Sequence, residues 1–115
     1  MTAPIVFFDI AGPDMAALHS FYSRLFGWDI SADGRFTVTV VAPLGATLRQ
    51  DPADKMFYVG VPDVKAKLAE VSGHGGTVIA ERFEVPGTVV LGMLTDPAGN
   101  RIGLVEMDGD RVKVP

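Results

Sequence analysis

Hydrophobic and polar positions along this chain follow one pattern that runs twice. Ile5 to Ile10 is a short apolar run that reads as a buried strand, and Gly12-Pro13-Asp14 behind it joins a breaker to a residue able to cap a helix. Met15, Leu18, Tyr22 and Leu25 then recur at helical spacing, Phe21 and Phe26 widen the stripe, and Gly27 supplies a C-terminal stop. Strand periodicity takes over next. Trp28 to Ile30, Arg35 to Val41 and Ala46 to Arg49 read as three strands, separated by Asp33-Gly34 and by Pro43 to Gly45.

The order begins again at Met56 to Val61, a second strand candidate followed by the helix-start signal Pro62-Asp63. Val64, Leu68 and Val71 make a narrower apolar stripe that ends at Ser72-Gly73. Gly75-Gly76 leads into a strand over Thr77 to Phe83, Pro86-Gly87 turns the chain into Thr88 to Leu94, and Ile102 to Glu106 closes the set. Each half is therefore strand, helix and three strands. Two copies of one unit predict a pseudo-two-fold arrangement in which neither half stands alone.

The last turn carries the most local information. In Asp96-Pro97-Ala98-Gly99-Asn100 the proline fixes φ at the second position, and Gly99-Asn100 tolerate the positive φ that closing such a turn requires. With this turn stand Phe21-Tyr22, Leu25-Phe26-Gly27-Trp28, Pro62-Asp63-Val64 and Gly75-Gly76. Taken in this order they closely resemble the vicinal oxygen chelate superfamily, which includes glyoxalase I, extradiol dioxygenases and bleomycin-resistance proteins. The resemblance covers almost the whole chain. It implies an α+β fold in which two βαβββ modules, about residues 4–50 and 55–107, form a curved, partly closed, eight-stranded mixed sheet in a single domain spanning residues 1–115. The concave face of such a cup holds a small ligand and often a divalent metal.

Composition narrows the partners. The net charge of -4 and sequence pI near 4.9 give no basic field for nucleic acid or an anionic membrane. At 48% hydrophobic residues and a mean hydropathy of +0.28 the chain reads as ordered and soluble, and its apolar runs are too short to span a bilayer. With no cysteine there is no disulfide, thiol nucleophile or thiolate metal site. Asp9 and Gly12 interrupt the first apolar stretch, so no secretory leader is read and a cytoplasmic setting is expected.

Family metal enzymes draw ligands from the first and closing strands of each module. Carried onto this sequence, those positions fall at Phe7, at about Met56, within Ala46 to Arg49, and at Gly103. None offers a carboxylate or imidazole, so no cofactor is expected and a metal at the family site is disfavoured. Strand alternation places Phe7 with Asp9, Met56 with Tyr58, and Gly103 with Val105, with Arg101 at the mouth and Arg49 on the remaining strand. The expected site is thus Phe7, Asp9, Arg49, Met56, Tyr58, Arg101 and Gly103, an apolar pocket with few polar anchors.

The expected function is metal-independent binding of a small, largely apolar or aromatic molecule by a homodimer of the bleomycin-resistance-like type. The alternative is a glyoxalase-like lyase, isomerase or dioxygenase that uses a divalent metal through shifted ligands such as Asp9 or Glu106, or acid-base chemistry at Asp9 and Tyr58. Asp9 also has a structural reading, as a buried hydrogen-bond acceptor. His19, off the apolar stripe, and His74, between glycines, read as partly exposed surface residues, and Phe21, Tyr22, Phe26 and Trp28 as core.

Overall fold

The structure is a computed structural model that describes residues 10, 12–37, 39–41, 50, 52 and 55–115. Helix α1 spans Met15–Phe26, and each of its ends has a local cause. The Asp14 carboxylate accepts the Ala17 N–H at 3.0 Å, and Gly27, left-handed at φ 69°, returns its N–H to the Ser23 carbonyl. Leu18, Phe21, Tyr22 and Leu25 form the buried face. Met15, expected in that stripe, is 58% exposed because it lies in the first turn, ahead of the point where the helix meets the core.

Strand β1, Tyr58–Val61, leads through Pro62 to helix α2, Val64–Val71, whose first turn is capped by Asp63 accepting the Ala66 N–H at 2.9 Å. A short 3-10 turn, Ser72–His74, ends α2, and left-handed Gly75 turns the chain into the sheet. Strands β2 (Thr77–Val85), β3 (Val89–Thr95) and β4 (Arg101–Asp108) follow, with a two-residue β5 (Arg111–Val112) folded back on β4.

The main sheet runs β1-β4-β3-β2, with β1 parallel to β4 and the remaining pairs antiparallel. The described residues thus give an α+β architecture with an open, mixed sheet of five strands, β5 included, and two α-helices. Both helices pack on one face: Leu18, Phe21, Leu25, Val64, Leu68 and Val71 join Val61, Leu94, Ile102 and Leu104 in a single core. Burial of each such side chain contributes about 1.5–3 kcal/mol.

The second half follows the expected pattern, with β1 starting at Tyr58 rather than Met56 and β2 running on to Val85. The first half departs from it. Described residues 28–37 and 39–41 form no strand, although the turn at Asp33-Gly34 exists, closed by the Ser31 N–H on the Arg35 carbonyl at 2.9 Å. Thr37, Thr39, Val40 and Val41 are exposed and no ladder extends from that turn among the described residues. The first expected strand, except Ile10, and the strand at Ala46 to Arg49 lie outside the described residues.

Candidate functional site

Alternation and register divide the sheet into a helix-covered face and an open one. Val90, Gly92 and Leu94 of β3 alternate in burial with Leu91, Met93 and Thr95, which share the open face. A Cβ on Gly92 would sit 2.8 Å from Val64 Cγ1, so its face is the one under α2. On the open side the registers build rows: Tyr58 beside Gly103 and Met93; Gly60 beside Val105, Leu91 and Phe83; and Arg101 beside Thr95 and Thr77. The face is apolar at its middle and polar at the Arg101 margin. Exposed large groups on it include Tyr58, Phe83 and Val85.

Of the expected site residues, Met56, Tyr58, Arg101 and Gly103 are described, and they gather here. The Met56 methyl comes within 3.2 Å of where a Gly103 Cβ would stand, and the Tyr58 ring fills that same volume. Phe7, Asp9 and Arg49 lie outside the described residues. The sequence reading missed Leu91, Met93 and Phe83. Their signal was the alternation of Val89–Thr95 itself, which assigns faces once the register to β4 is known.

Two buried carboxylates sit on the other side, and both are committed to structure. Asp96, 3% exposed, accepts the Tyr22 hydroxyl at 2.9 Å, the N–H groups of Ala98 and Asn100 at 2.9 Å each, and the Asn100 side-chain amide at 2.8 Å. Burial, reinforced by the Asp96 charge, pushes the Tyr22 phenol far above its usual range, so that residue stays a donor. Gly99 holds φ 90°, as the turn chemistry requires.

Glu106, 5% exposed, accepts the Val64 N–H at 3.0 Å at the start of α2, together with Arg82 at 3.1 Å and Lys113 at 3.4 Å. The Arg82 bond foremost, then the Val64 N–H, lowers its carboxyl to about 2. Glu106 belongs to the helix-covered side, in register with Val61, and is saturated there. A role for it as a shifted metal ligand in the open face is thereby corrected.

The histidines are equally occupied by structure or position. His19 Nε2 donates to the Ile30 carbonyl at 2.8 Å, so it is a tie between α1 and the following segment rather than a loose surface group. His74 ends the 3-10 turn, half-buried. The aromatic cluster is core, with Trp28 stacked on Tyr22 at a centroid distance of 5.4 Å and 6° between planes.

Among the described residues the donor set offers no metal site. Met56 and Gly103, at two family ligand positions, provide no hard donor, and among the described residues no group of three or more His, Cys, Asp or Glu could hold an ion. A separate open groove of about 620 Å³ runs between Thr39, Val40, Val41 and Asp110, Arg111, Val112. It shares no residue with the Tyr58 face. No described helix is long and apolar enough to cross a membrane.

Comparison with known proteins gives the family and the fold. Residues 5–105 fit the sequence profile of the glyoxalase-like domain. The anthracycline biosynthesis protein DnrV of Streptomyces peucetius is 30% identical over 117 residues, covering 80% of this chain and 42% of that protein. The chain spans about two fifths (42%) of the length of the curated relatives it matches. Among solved structures, a glyoxalase-related enzyme from Fulvimarina pelagi superposes with a TM-score of 0.70 at 16% identity, covering 97% of this chain and 98% of that one. A glyoxalase/bleomycin resistance protein/dioxygenase family enzyme from Burkholderia phytofirmans reaches 0.54 at 16% identity, over 81% and 90% of the two chains. At these identities the structural likeness establishes the fold.

Proposed function

Because the chain belongs to the glyoxalase-like domain family of the vicinal oxygen chelate superfamily, we propose that it is a metal-independent binder of a small, largely apolar or aromatic molecule. The observation that carries this reading is at Gly103: where the family places a ligating glutamate, this chain has no side chain, and the Tyr58 ring occupies the space. A ligand on the open face meets Tyr58, Met93, Leu91, Val105 and Phe83, with polar contact confined to the Arg101 margin. Apolar walls with few polar anchors are the usual make-up of a small-molecule site. That two relatives are named for anthracycline biosynthesis favours an aromatic ligand over an aliphatic one.

The proposal extends to the whole cup. Residues 1–115 form a single domain in which a first module, about residues 4–50, and a second, about 55–107, together enclose the ligand. The protein acts as a homodimer, since paired modules cover each other's apolar sheets and closed two-fold dimers are the commonest assembly. Light scattering during gel filtration tests this, and a mass near 12.2 kDa at all concentrations would exclude it.

The decisive experiment for metal independence is elemental analysis of protein purified without chelator, followed by thermal shift with and without zinc, nickel, manganese and iron(II). No stoichiometric metal and no metal-dependent rise in Tm are expected. A bound equivalent that raises Tm overturns the reading.

A further inference from the structure

The open face is built around an absent side chain. Gly103 is buried in β4 and its φ is outside the left-handed region, so backbone conformation does not demand glycine there. Space does. A Cβ on Gly103 would overlap Cδ1 and Cε1 of Tyr58 outright and stand 3.2 Å from Met56 Cε. The ring therefore rests directly on β4, while 48% of the residue remains exposed on the open face. Met93 is the register neighbour of Gly103 on β3, and the Met56 methyl reaches the same spot above Gly103.

We infer that Gly103 is the specificity-determining position of this site: by lacking a side chain it seats the Tyr58 ring as a platform that selects planar aromatic ligands over non-planar apolar ones. The inference rests on the small-molecule reading above and names the shape that reading leaves open. An exposed ring held against a strand offers a planar partner an offset stack, which adds to area burial, whereas a globular hydrocarbon gains only the area. Any side chain at position 103 must lift the ring off the strand and into the cup, which removes the platform and narrows the space above it.

The test uses the two tyrosines of the chain, Tyr22 and Tyr58, as reporters. Protein labelled with 3-fluorotyrosine is titrated with anthraquinone-2-carboxylate, a planar probe, and with adamantane-1-carboxylate, a compact one of the same charge. The planar probe should shift the Tyr58 fluorine signal, leave that of buried Tyr22 in place, and bind about tenfold tighter or more than the adamantane, the size of one aromatic stack. In Gly103→Ala the Tyr58 signal should move toward that of free fluorotyrosine and the planar preference should fall about tenfold. Tyr58→Leu should lose the preference for the planar probe. The Gly103→Ala loss of Tm should also largely vanish in a Tyr58→Ala background, where the ring is gone. Equal loss in both backgrounds, or an unchanged preference in Gly103→Ala, overturns the inference. Wild-type protein that binds both probes equally sinks the inference alone, and wild-type protein that binds neither sinks the small-molecule reading and the inference with it.

Discussion

Replacing Asp96 by alanine tests whether the closing turn holds α1 to the sheet. The carboxylate receives four hydrogen bonds, one from the core hydroxyl of Tyr22 and three from Ala98 and Asn100 within its own turn. The turn donors are part-buried, so water can replace much of what they lose. The Tyr22 hydroxyl cannot recover in this way, because its ring lies between Phe21, Phe26 and Trp28. A buried donor left unpaired costs about 1–3 kcal/mol, and bonds to a charged acceptor are at the upper end of the hydrogen-bond range. Asp96→Ala should therefore cost about 3–5 kcal/mol, which lowers Tm by on the order of 10–25 °C in a chain of this length.

Tyr22→Phe removes the same bond from the other end without stranding a donor, and should cost only about 1 kcal/mol. The decisive comparison is the double variant. In an Asp96→Ala background the phenylalanine no longer breaks a bond and instead removes an unpaired hydroxyl, so Tyr22→Phe should change sign and stabilise. Urea unfolding at neutral pH, followed by fluorescence of the one tryptophan, Trp28, which stacks on Tyr22, reads each corner of this cycle. Equal cost of Tyr22→Phe in both backgrounds would refute the reasoning, since the two groups would then act independently.

Three other perturbations follow from geometry. The Glu106 carboxyl is depressed from 4.5 to about 2 by Arg82 and the Val64 N–H, so its stabilisation is present above pH 4.5 and is lost as pH falls toward 2; the decline of unfolding free energy over that window, read by urea unfolding, should be shallower by about 1–3 kcal/mol in Glu106→Gln. Gly99→Val forces a β-branched residue to φ 90° and should cost about 1–3 kcal/mol in urea unfolding, while an unshifted midpoint would contradict the turn assignment. Gly92→Leu drives a side chain into Val64 Cγ1 at 2.8 Å and Leu68 Cδ1 at 2.9 Å, so α2 must shift; a loss of at least about 1–3 kcal/mol in thermal melts is expected, and a neutral outcome would mean the α2 seat is loose.

Local chemistry explains which parts of the fold were legible in the sequence. Asp14 and Asp63 each cap a helix, Gly27 stops one, and Pro86-Gly87 and Asp96 to Asn100 turn the chain where expected, because each of these signals acts within a few residues. The strands expected at Trp28 to Ile30 and Arg35 to Val41 rested on β-propensity, and a strand needs a partner that propensity does not provide. Trp28 shows the conflict most directly. Its ring stacks on Tyr22 and Phe36, so that the segment packs through side chains where a ladder was expected.

The site was legible in a different sense. The family resemblance put Gly103 and Met56 on a cup face and alternation added Tyr58, but Tyr58 and Gly103 stood as separate positions: a tyrosine with a hydroxyl to use, and a glycine with nothing to offer a metal. The parallel register of β1 and β4 makes them one feature, since Tyr58 faces Gly103 directly across the pair. The missing Cβ removes a donor from the family ligand position and also makes room for the ring. A chain that had merely lost its glutamate could carry alanine or serine at position 103, at no cost to the strand. Here even alanine meets the Tyr58 ring, which must shift to admit it, so the missing side chain at position 103 and the ring above it form one feature.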